Sequence, residues 1–269
     1  MDAETSSADP VVDPGLAGQS ARPFPGVDNG YLAGYRVRFD EAGPDGSMRI
    51  SSLLRYAQDI AWLHSDRMGF DRGWYQERGL GWVVRGVELE VHEPVPLGHI
   101  LRVTTAIVGH RRIWARRLVE CRLADGRLAA RVTTDWVLID GRSRIVRIPA
   151  DFGVAFVNPE LDSEILRVPA PGGEPVHSES FRVRMRDLDP LAHVNNAVYV
   201  DWLDEALQTA GLRGADSTGE AWRVEYLASA ARDDEVVVDL FGAPGEWVAR
   251  IRRADGLDLV RASGTASPA

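Results

Sequence analysis

The chain contains no lysine. All 31 of its basic residues are arginine, and the many Ala, Gly and Val residues around them trace this bias to a GC-rich genome rather than to chemistry. Cysteine is nearly absent. With Cys121 as the only one, no disulfide can form within the chain and no Cys-based zinc site is possible. A reducing compartment fits this usage, and a cytoplasmic location is expected. Positive charge is in deficit: 40 acidic residues against 31 basic ones leave a net charge of −9, which argues against a general nucleic-acid binder. Nowhere does an apolar run reach the roughly 18 residues needed to span a membrane. His92, His99, His110 and His177 show no ligand spacing, so neither a metal nor a cofactor is expected.

What is present is enough apolar content for one large domain or two small ones: 45% of 269 residues. Residues 1–30 are acidic and rich in Pro, Gly, Ser and Ala. They have neither the basic start nor the apolar core of a secretory signal, and they read as a disordered tail. From Gly34 an order of elements begins. "YRVRF" (Tyr35–Phe39) alternates like a strand, and a polar turn follows. "ISSLLRYAQDIAWLHSD" then has Leu53, Leu54, Ala57, Ile60, Ala61 and His64 at helical spacing, with Ser51 or Ser52 as a candidate cap. A Gly-rich connection leads to four strand-like segments. From Ser180 the order recurs. "FRVRM" (Phe181–Met185) matches "YRVRF", and "NNAVYVDWLDEALQTAG" is a helix with Gly211 as its stop. Four more strands follow. "ADG" closes the last hairpin of each copy, at Ala124–Gly126 and at Ala254–Gly256.

Strand, helix, then four strands, twice over, predicts an α+β fold in which each sheet wraps around one long helix. The expected units are residues 31–152 and 176–269, with a Pro- and Gly-marked linker over 153–175. A duplication within one chain suggests a fused homodimer whose sheets continue across a pseudo-twofold axis. The molecule is then a monomeric pseudodimer or a homodimer.

The stretch "RDLDPLAHVNNAVYVDWLDEA" carries the sharpest signal: two Asp, one His and two Asn just before a helix. It resembles the hot-dog-fold thioesterases, and the tandem copies are similar to the double hot-dog acyl-acyl-carrier-protein thioesterases. "LGWVVRGVELEVHEPVPLGHILRVTT" and "VTTDWVLIDGRSRIVRIP" in the first copy resemble the same family, so the likeness runs from about Gly34 to Ala266. It implies tandem hot-dog domains and hydrolysis of acyl-acyl carrier protein to free fatty acid in fatty acid biosynthesis. The family's catalytic Asp falls on Asp189 and its His on His193. Its Asn position is Leu191 here, and its acidic position, counted from Tyr226, is Ser229. Both are departures. The single-domain hydroxybenzoyl-CoA-type thioesterases also place an essential Asp before Pro, as in Asp189-Pro190.

Thioester hydrolysis needs an attacking oxygen and a sink for the charge that develops on the carbonyl oxygen. Asp189 can attack or deprotonate water. Free N–H groups near Asn195 and Asn196, at a helix start, can supply the sink. His193 can orient water or the carbonyl. Glu225, on the same strand face as Ser229, is a candidate substitute for the missing acid. Blander readings stand beside these. Asn195 or Asn196 serves as helix cap, Asp187 pairs with Arg184 or Arg186, His64 is packing, and Glu225 is a strand charge. In the first copy the motif reads Arg49-Ile-Ser-Ser, without the chemistry. That half, with Ala57 on its helix and Trp82, is expected to wall an acyl pocket. The eight Arg between Arg102 and Arg131 suggest a docking face for an acidic carrier protein, or a guarded sheet edge. The alternatives to a carrier-protein substrate are acyl-CoA hydrolysis in the same fold and a non-catalytic acyl-binding protein.

Overall fold

The structure is a computed structural model that describes residues 24, 29–156, 164–213 and 219–267. The first half contains β1 (Gly30–Arg36), α1 (Ile50–Arg67), α2 (Arg72–Arg78), β2 (Leu80–Val91), β3 (Ile100–His110), β4 (Trp114–Arg122), β5 (Leu128–Asp140) and α3 (Ala150–Ala155). The second contains β6 (His177–Arg182), α4 (Asn196–Thr209), β7 (Gly219–Tyr226), β8 (Glu235–Ala243), β9 (Glu246–Arg253) and β10 (Asp258–Ser267). The strands form one antiparallel sheet in the order β1-β3-β4-β5-β2-β7-β10-β9-β8-β6. Each half contributes five neighbouring strands, and β2 pairs with β7 at the centre, Gly86 opposite Glu225 and Val91 opposite Glu220. The tandem hot-dog arrangement is therefore built as one sheet wrapped around α1 and α4.

The core lies between sheet and helices. Leu53, Ala57 and Ile60 of α1 and Tyr199, Leu203 and Leu207 of α4 meet inward residues such as Val103, Val119, Val224 and Ile251. The alternating apolar residues of each strand face this core because successive side chains point to opposite faces. Arg55 of α1 and Asp201 of α4 pair at 2.5 Å where the two helices meet.

The two copies match bond for bond at the entry to each helix. Gly43 N–H donates to the Ser47 carbonyl, and Asp189 N–H to that of His193; Arg49 N–H donates to the Glu41 carbonyl, and Asn195 N–H to that of Asp187. The residues that correspond to His193-Val-Asn-Asn are thus Ser47-Met-Arg-Ile, two positions earlier than the sequence pattern suggests. Glu41 and Asp187 do the same work, each accepting a hydrogen bond from the backbone N–H three residues back, Arg38 (2.8 Å) and Arg184 (2.7 Å). Asp187 is consequently a turn-closing acceptor, and Arg186 stands 3.9 Å away with its side chain 87% exposed.

Several local expectations differ from the structure. The cap of α1 is Arg49 without a side-chain bond, and Ser52 instead donates its hydroxyl to the Glu41 carbonyl. The Gly-rich connection holds the helix α2, started by Asp71 accepting from Trp74 N–H and ended by Gly79 in the left-handed region. Of the expected tail, residues 1–23 and 25–28 lie outside the described residues. Phe24 is buried against Ala106, Val108 and Leu118, and Asn29 donates to the Ala155 carbonyl. In the expected linker, 157–163 lies outside the described residues. Leu166 and Val168 are buried on the outer face of the sheet, over the β2–β7 seam. Gly86 is required there: a Cβ on it would stand 2.6 Å from Leu166 Cβ. No helix among the described residues is long and apolar enough to cross a membrane.

Candidate active site

The turn ahead of α4 is shaped by Asp189. Its Oδ1 accepts from Leu191 N–H (2.8 Å) and His193 N–H (3.2 Å), while Ala192 takes a positive φ of 59°. Oδ2 makes no hydrogen bond among the described residues. Asn195 is the helix cap: its Oδ1 accepts from Ala197 N–H at 2.9 Å and its Nδ2 donates to Gln58 Oε1 at 3.3 Å. Val198 N–H is bonded to the Asn195 carbonyl and Asn195 N–H to Asp187. Asn196 N–H is the one donor of this first turn with no acceptor among the described residues. Its carbonyl accepts from Tyr226 OH at 2.9 Å, which fixes the start of the helix to the sheet.

A cavity of about 550 Å³ opens beside this turn. Asp189, Leu191, Asn195 and Asn196 line it from the second half, and Gln58, Ala61, Trp62 and Ser65 of α1 from the first. Its inner wall comes from α2, β2, β4 and Phe152, and Trp82 is among the lining residues. Beneath it lies an aromatic cluster of Phe70, Trp74, Phe152 and Phe156. Ala57, an expected wall residue, is instead in the central core; the helix turns Ala61 to the cavity. Leu191 is 54% exposed and sits at the rim where the family motif has Asn.

The sequence candidates are only partly brought together. Asp189 and Asn195 meet at the rim. His193 is exposed, its ring forms no hydrogen bond among the described residues, and it is not part of the cavity wall. Glu225 is on the other face of the sheet. Its Oε1 accepts from Arg167 Nη1 (2.7 Å) and Arg85 Nη2 (3.4 Å), and its Oε2 from Val168 N–H (2.9 Å). It ties the crossing segment onto the sheet and cannot substitute for the missing acid. Ser229 lies beyond the end of β7, so strand alternation never linked it to Glu225. It is in the loop beside Tyr199, whose OH accepts from Ala230 N–H at 2.8 Å. Alternation did contain the warning: Trp222, Val224 and Tyr226 face the core, so Glu225 must face away.

His64 is packing, as expected, and it has a partner. Arg117 Nη1 donates to His64 Nδ1 at 2.9 Å, so the imidazole is neutral with its proton on Nε2. Burial, reinforced by the adjacent guanidinium, pushes the His64 pKa down from 6.5 to about 3. Between those two values the unfolded chain binds a proton that the folded chain refuses, so stability is complete above pH 6.5 and falls as the pH drops toward 3. The loss attributable to His64 is about 2 kcal/mol at pH 5. Urea midpoints at pH 7 and pH 5 should converge in His64→Gln relative to wild type; an unaltered acid sensitivity would contradict this.

A second cavity, about 670 Å³, lies against the corresponding turn of the first half and is lined by Gly43, Asp45, Arg49, Asp204, Gln208, Arg213 and Glu220 among others. Gly43 stands where Asp189 does, so that position has no carboxylate. Arg213 bridges Asp204 (2.5 Å) and Glu220 (3.2 Å) across it. Behind it, Trp222 and Trp247 pack edge to face, and Trp247 lies on Gly264, where a Cβ would be 2.2 Å from the indole. The proposed Arg docking face is also mostly spoken for. Arg116 pairs with Asp135, Arg122 and Arg131 with Glu120, and Arg127 with Asp125 and Glu93, while Arg117 points inward. Among the described residues no cluster of three or more His, Cys, Asp or Glu could hold a metal ion. Burial raises the Cys121 thiol to about 12, so it stays protonated and unreactive at neutral pH.

Known proteins match this chain along both halves. The family model for the acyl-ACP thioesterase N-terminal domain matches residues 28–156, and that for the C-terminal domain matches 174–239, well over half of the chain between them. Oleoyl-acyl carrier protein thioesterase 2 of Arabidopsis thaliana is 24% identical over 200 residues, 66% of this chain and 54% of its own length. Dodecanoyl-[acyl-carrier-protein] hydrolase of Cinnamomum camphora is 26% identical over 193 residues, 64% of this chain and 50% of its own length. The chain thus spans about half the length of these curated relatives, both of which are chloroplastic. The 12:0-ACP thioesterase of Umbellularia californica superposes with a TM-score of 0.77 at 23% identity, over 89% of this chain and 98% of that one. An acyl-ACP thioesterase from Bacteroides thetaiotaomicron gives 0.75 at 16% identity, over 89% and 98%. Both likenesses support the fold.

Proposed function

The chain belongs to the acyl-ACP thioesterase family, and from that premise we propose that it hydrolyses acyl-acyl carrier protein to a free fatty acid and the carrier thiol, in fatty acid biosynthesis. The observation that carries the reading is the cavity: an apolar hollow in the first half that meets a carboxylate and an open helix N-terminus from the second. The acyl chain enters along α1, with its thioester at the rim beside Asp189. Asp189 Oδ1 is occupied by two backbone N–H groups, so Oδ2 is the oxygen aimed at chemistry. It attacks the carbonyl carbon itself or removes a proton from the water that does. A C–O bond forms and the C–S bond breaks, the departing thiolate taking up a proton; on direct attack the acyl-Asp189 anhydride so formed is then split by water, which releases the fatty acid and restores the carboxylate. The Asn196 N–H, at the positive end of α4, receives the charge on the carbonyl oxygen. With Leu191 in the family's Asn position, water has fewer polar groups to hold it, which favours direct attack.

The same proposal includes a cytoplasmic setting, consistent with one buried thiol and no possible intrachain disulfide. It divides the chain into units 31–152 and 176–269. It also takes the single chain as a self-sufficient pseudodimer, because both walls of the cavity come from one polypeptide.

Free-thiol release from matched panels of acyl-carrier protein and acyl-CoA tests the reading. The expected result is turnover of carrier-protein thioesters. Turnover of acyl-CoA only would reassign the substrate, and tight acyl binding without any release would make this a binding protein. Chain length has its own test. Ala61→Phe narrows the cavity from α1 and should cut kcat/KM for the longest accepted chains by at least about 10-fold relative to shorter ones. An unchanged length profile in a folded, active variant would place the acyl chain elsewhere.

A further inference from the structure

The cavity contains a charge that an ordinary fatty acyl chain cannot use. Arg117 projects from the inner face of β4, where its neighbours along the strand, Ala115, Val119 and Cys121, are all buried apolar residues. It is 6% exposed and lines the cavity. Its only protein partners among the described residues are neutral: His64 Nδ1 at 2.9 Å and Thr105 Oγ1 at 3.2 Å, both reached from Nη1. A guanidinium carries five N–H donors, so those on Nε and Nη2 have no acceptor there. No carboxylate pairs with it among the described residues, although most other arginines on this sheet have one, as Arg116 has Asp135 and Arg250 has Asp239. Burial lowers its pKa only to about 10, so it is cationic at neutral pH. A second donor in the same wall is also unmet: the Trp136 indole N–H is buried without an acceptor. Another indole of the wall, Trp82 Nε1, is satisfied by Tyr75 OH at 3.0 Å, and Tyr75 OH by Ser65 Oγ at 3.1 Å. Asp189, at the rim, is the only carboxylate lining this cavity among the described residues.

An unneutralised buried charge is costly to a fold. It persists where something else supplies the opposite charge. The corresponding cavity beside the other turn also has an arginine in its wall, but that one, Arg213, is neutralised by Asp204 and Glu220. Along α1 the cavity runs from Gln58, bonded to Asn195 at the rim, to Ser65, one residue past His64, the partner of Arg117. Six residues of helix span about 9 Å, so Arg117 lies well inside, away from the thioester.

Building on the acyl-thioesterase reading of the cavity, we propose that its inner end is a subsite for an anionic oxygen carried by the substrate: Arg117 receives the carboxylate of an acyl chain that bears a second acid group distal to the thioester. The two outward N–H groups of a guanidinium match the two oxygens of a carboxylate. The chemistry that must precede such a substrate is oxidation of the chain's far end, or priming of its synthesis by a diacid.

The test uses the full chain and three acyl-carrier-protein thioesters of matched length, ending in methyl, hydroxyl or carboxylate, over a series of lengths. Wild type should favour the carboxylate by at least about 10-fold in kcat/KM at the length that reaches Arg117. Arg117→Met should reverse that order, and Arg117→Lys should retain part of it. A wild-type preference for the methyl or hydroxyl end at every length would overturn the proposal. Binding of free monoacids and diacids, followed by the fluorescence of Trp82 and Trp136, provides a readout that needs neither turnover nor a variant. Tighter binding of the diacid supports the subsite even if no thioester is cleaved, in which case it is the hydrolase reading that fails. Hydrolysis of methyl-ended chains with no diacid preference in either assay sinks the subsite and leaves the hydrolase reading standing.

Discussion

Asp189→Asn should lower thioester turnover by about 100-fold or more while the protein stays folded. A positioned base contributes on the order of 10²–10⁴ in rate, and the amide preserves the shape of the group. The side-chain oxygen of Asn can still accept from Leu191 N–H and His193 N–H, the two bonds that shape the turn. What disappears is the negative charge on the oxygen that faces the cavity. Single-turnover thiol release, with circular dichroism to confirm the fold, would measure the effect. His193→Ala provides the contrast. The His193 ring is exposed and without a hydrogen bond among the described residues, so its loss should cost less than that of Asp189. Near-wild-type turnover by a folded Asp189→Asn protein would remove the carboxylate from the chemistry and leave it as a turn residue.

Glu225→Ala should act in the opposite way, costing stability and sparing the chemistry. Its carboxylate is buried, and it holds Arg167, Arg85 and the Val168 N–H together over the seam between β2 and β7. Arg85 also reaches the Tyr226 carbonyl. Removing the acid leaves a half-buried guanidinium and a buried N–H without their partner, which costs about 3 kcal/mol. The urea midpoint should fall with little change in slope, and turnover per folded molecule should stay close to wild type. Loss of turnover at wild-type stability would return Glu225 to the active site. The seam is where the two halves become one sheet, so this residue tests how the tandem fold is held together.

The sequence by itself determined the duplicated order of strand, helix and four strands, because those patterns are periodic and local. It determined Asp189 and the helix start beside it as well. An Asp-Pro turn followed by an Asn cap is a short-range chemical arrangement that reads the same before and after folding. Strand alternation also contained two facts that were open to reading: Glu225 opposes the core-facing Val224 and Tyr226, and Arg117 shares a face with Ala115, Val119 and Cys121. Neither could be interpreted locally, since a charge on a strand says nothing of what covers it. Only the tertiary structure decided that Glu225 is covered by the crossing segment at Leu166–Val168. It alone opened a cavity beside each turn and packed Trp222 against Trp247 behind the second. It also buried Arg117 against a neutral histidine rather than an acid. The reason is that burial and pairing depend on residues far apart in the chain, such as His64 with Arg117 and Glu225 with Val168. A strand's own period fixes which way a side chain points, whereas the opposing layer decides whether it meets solvent, a partner or an empty cavity.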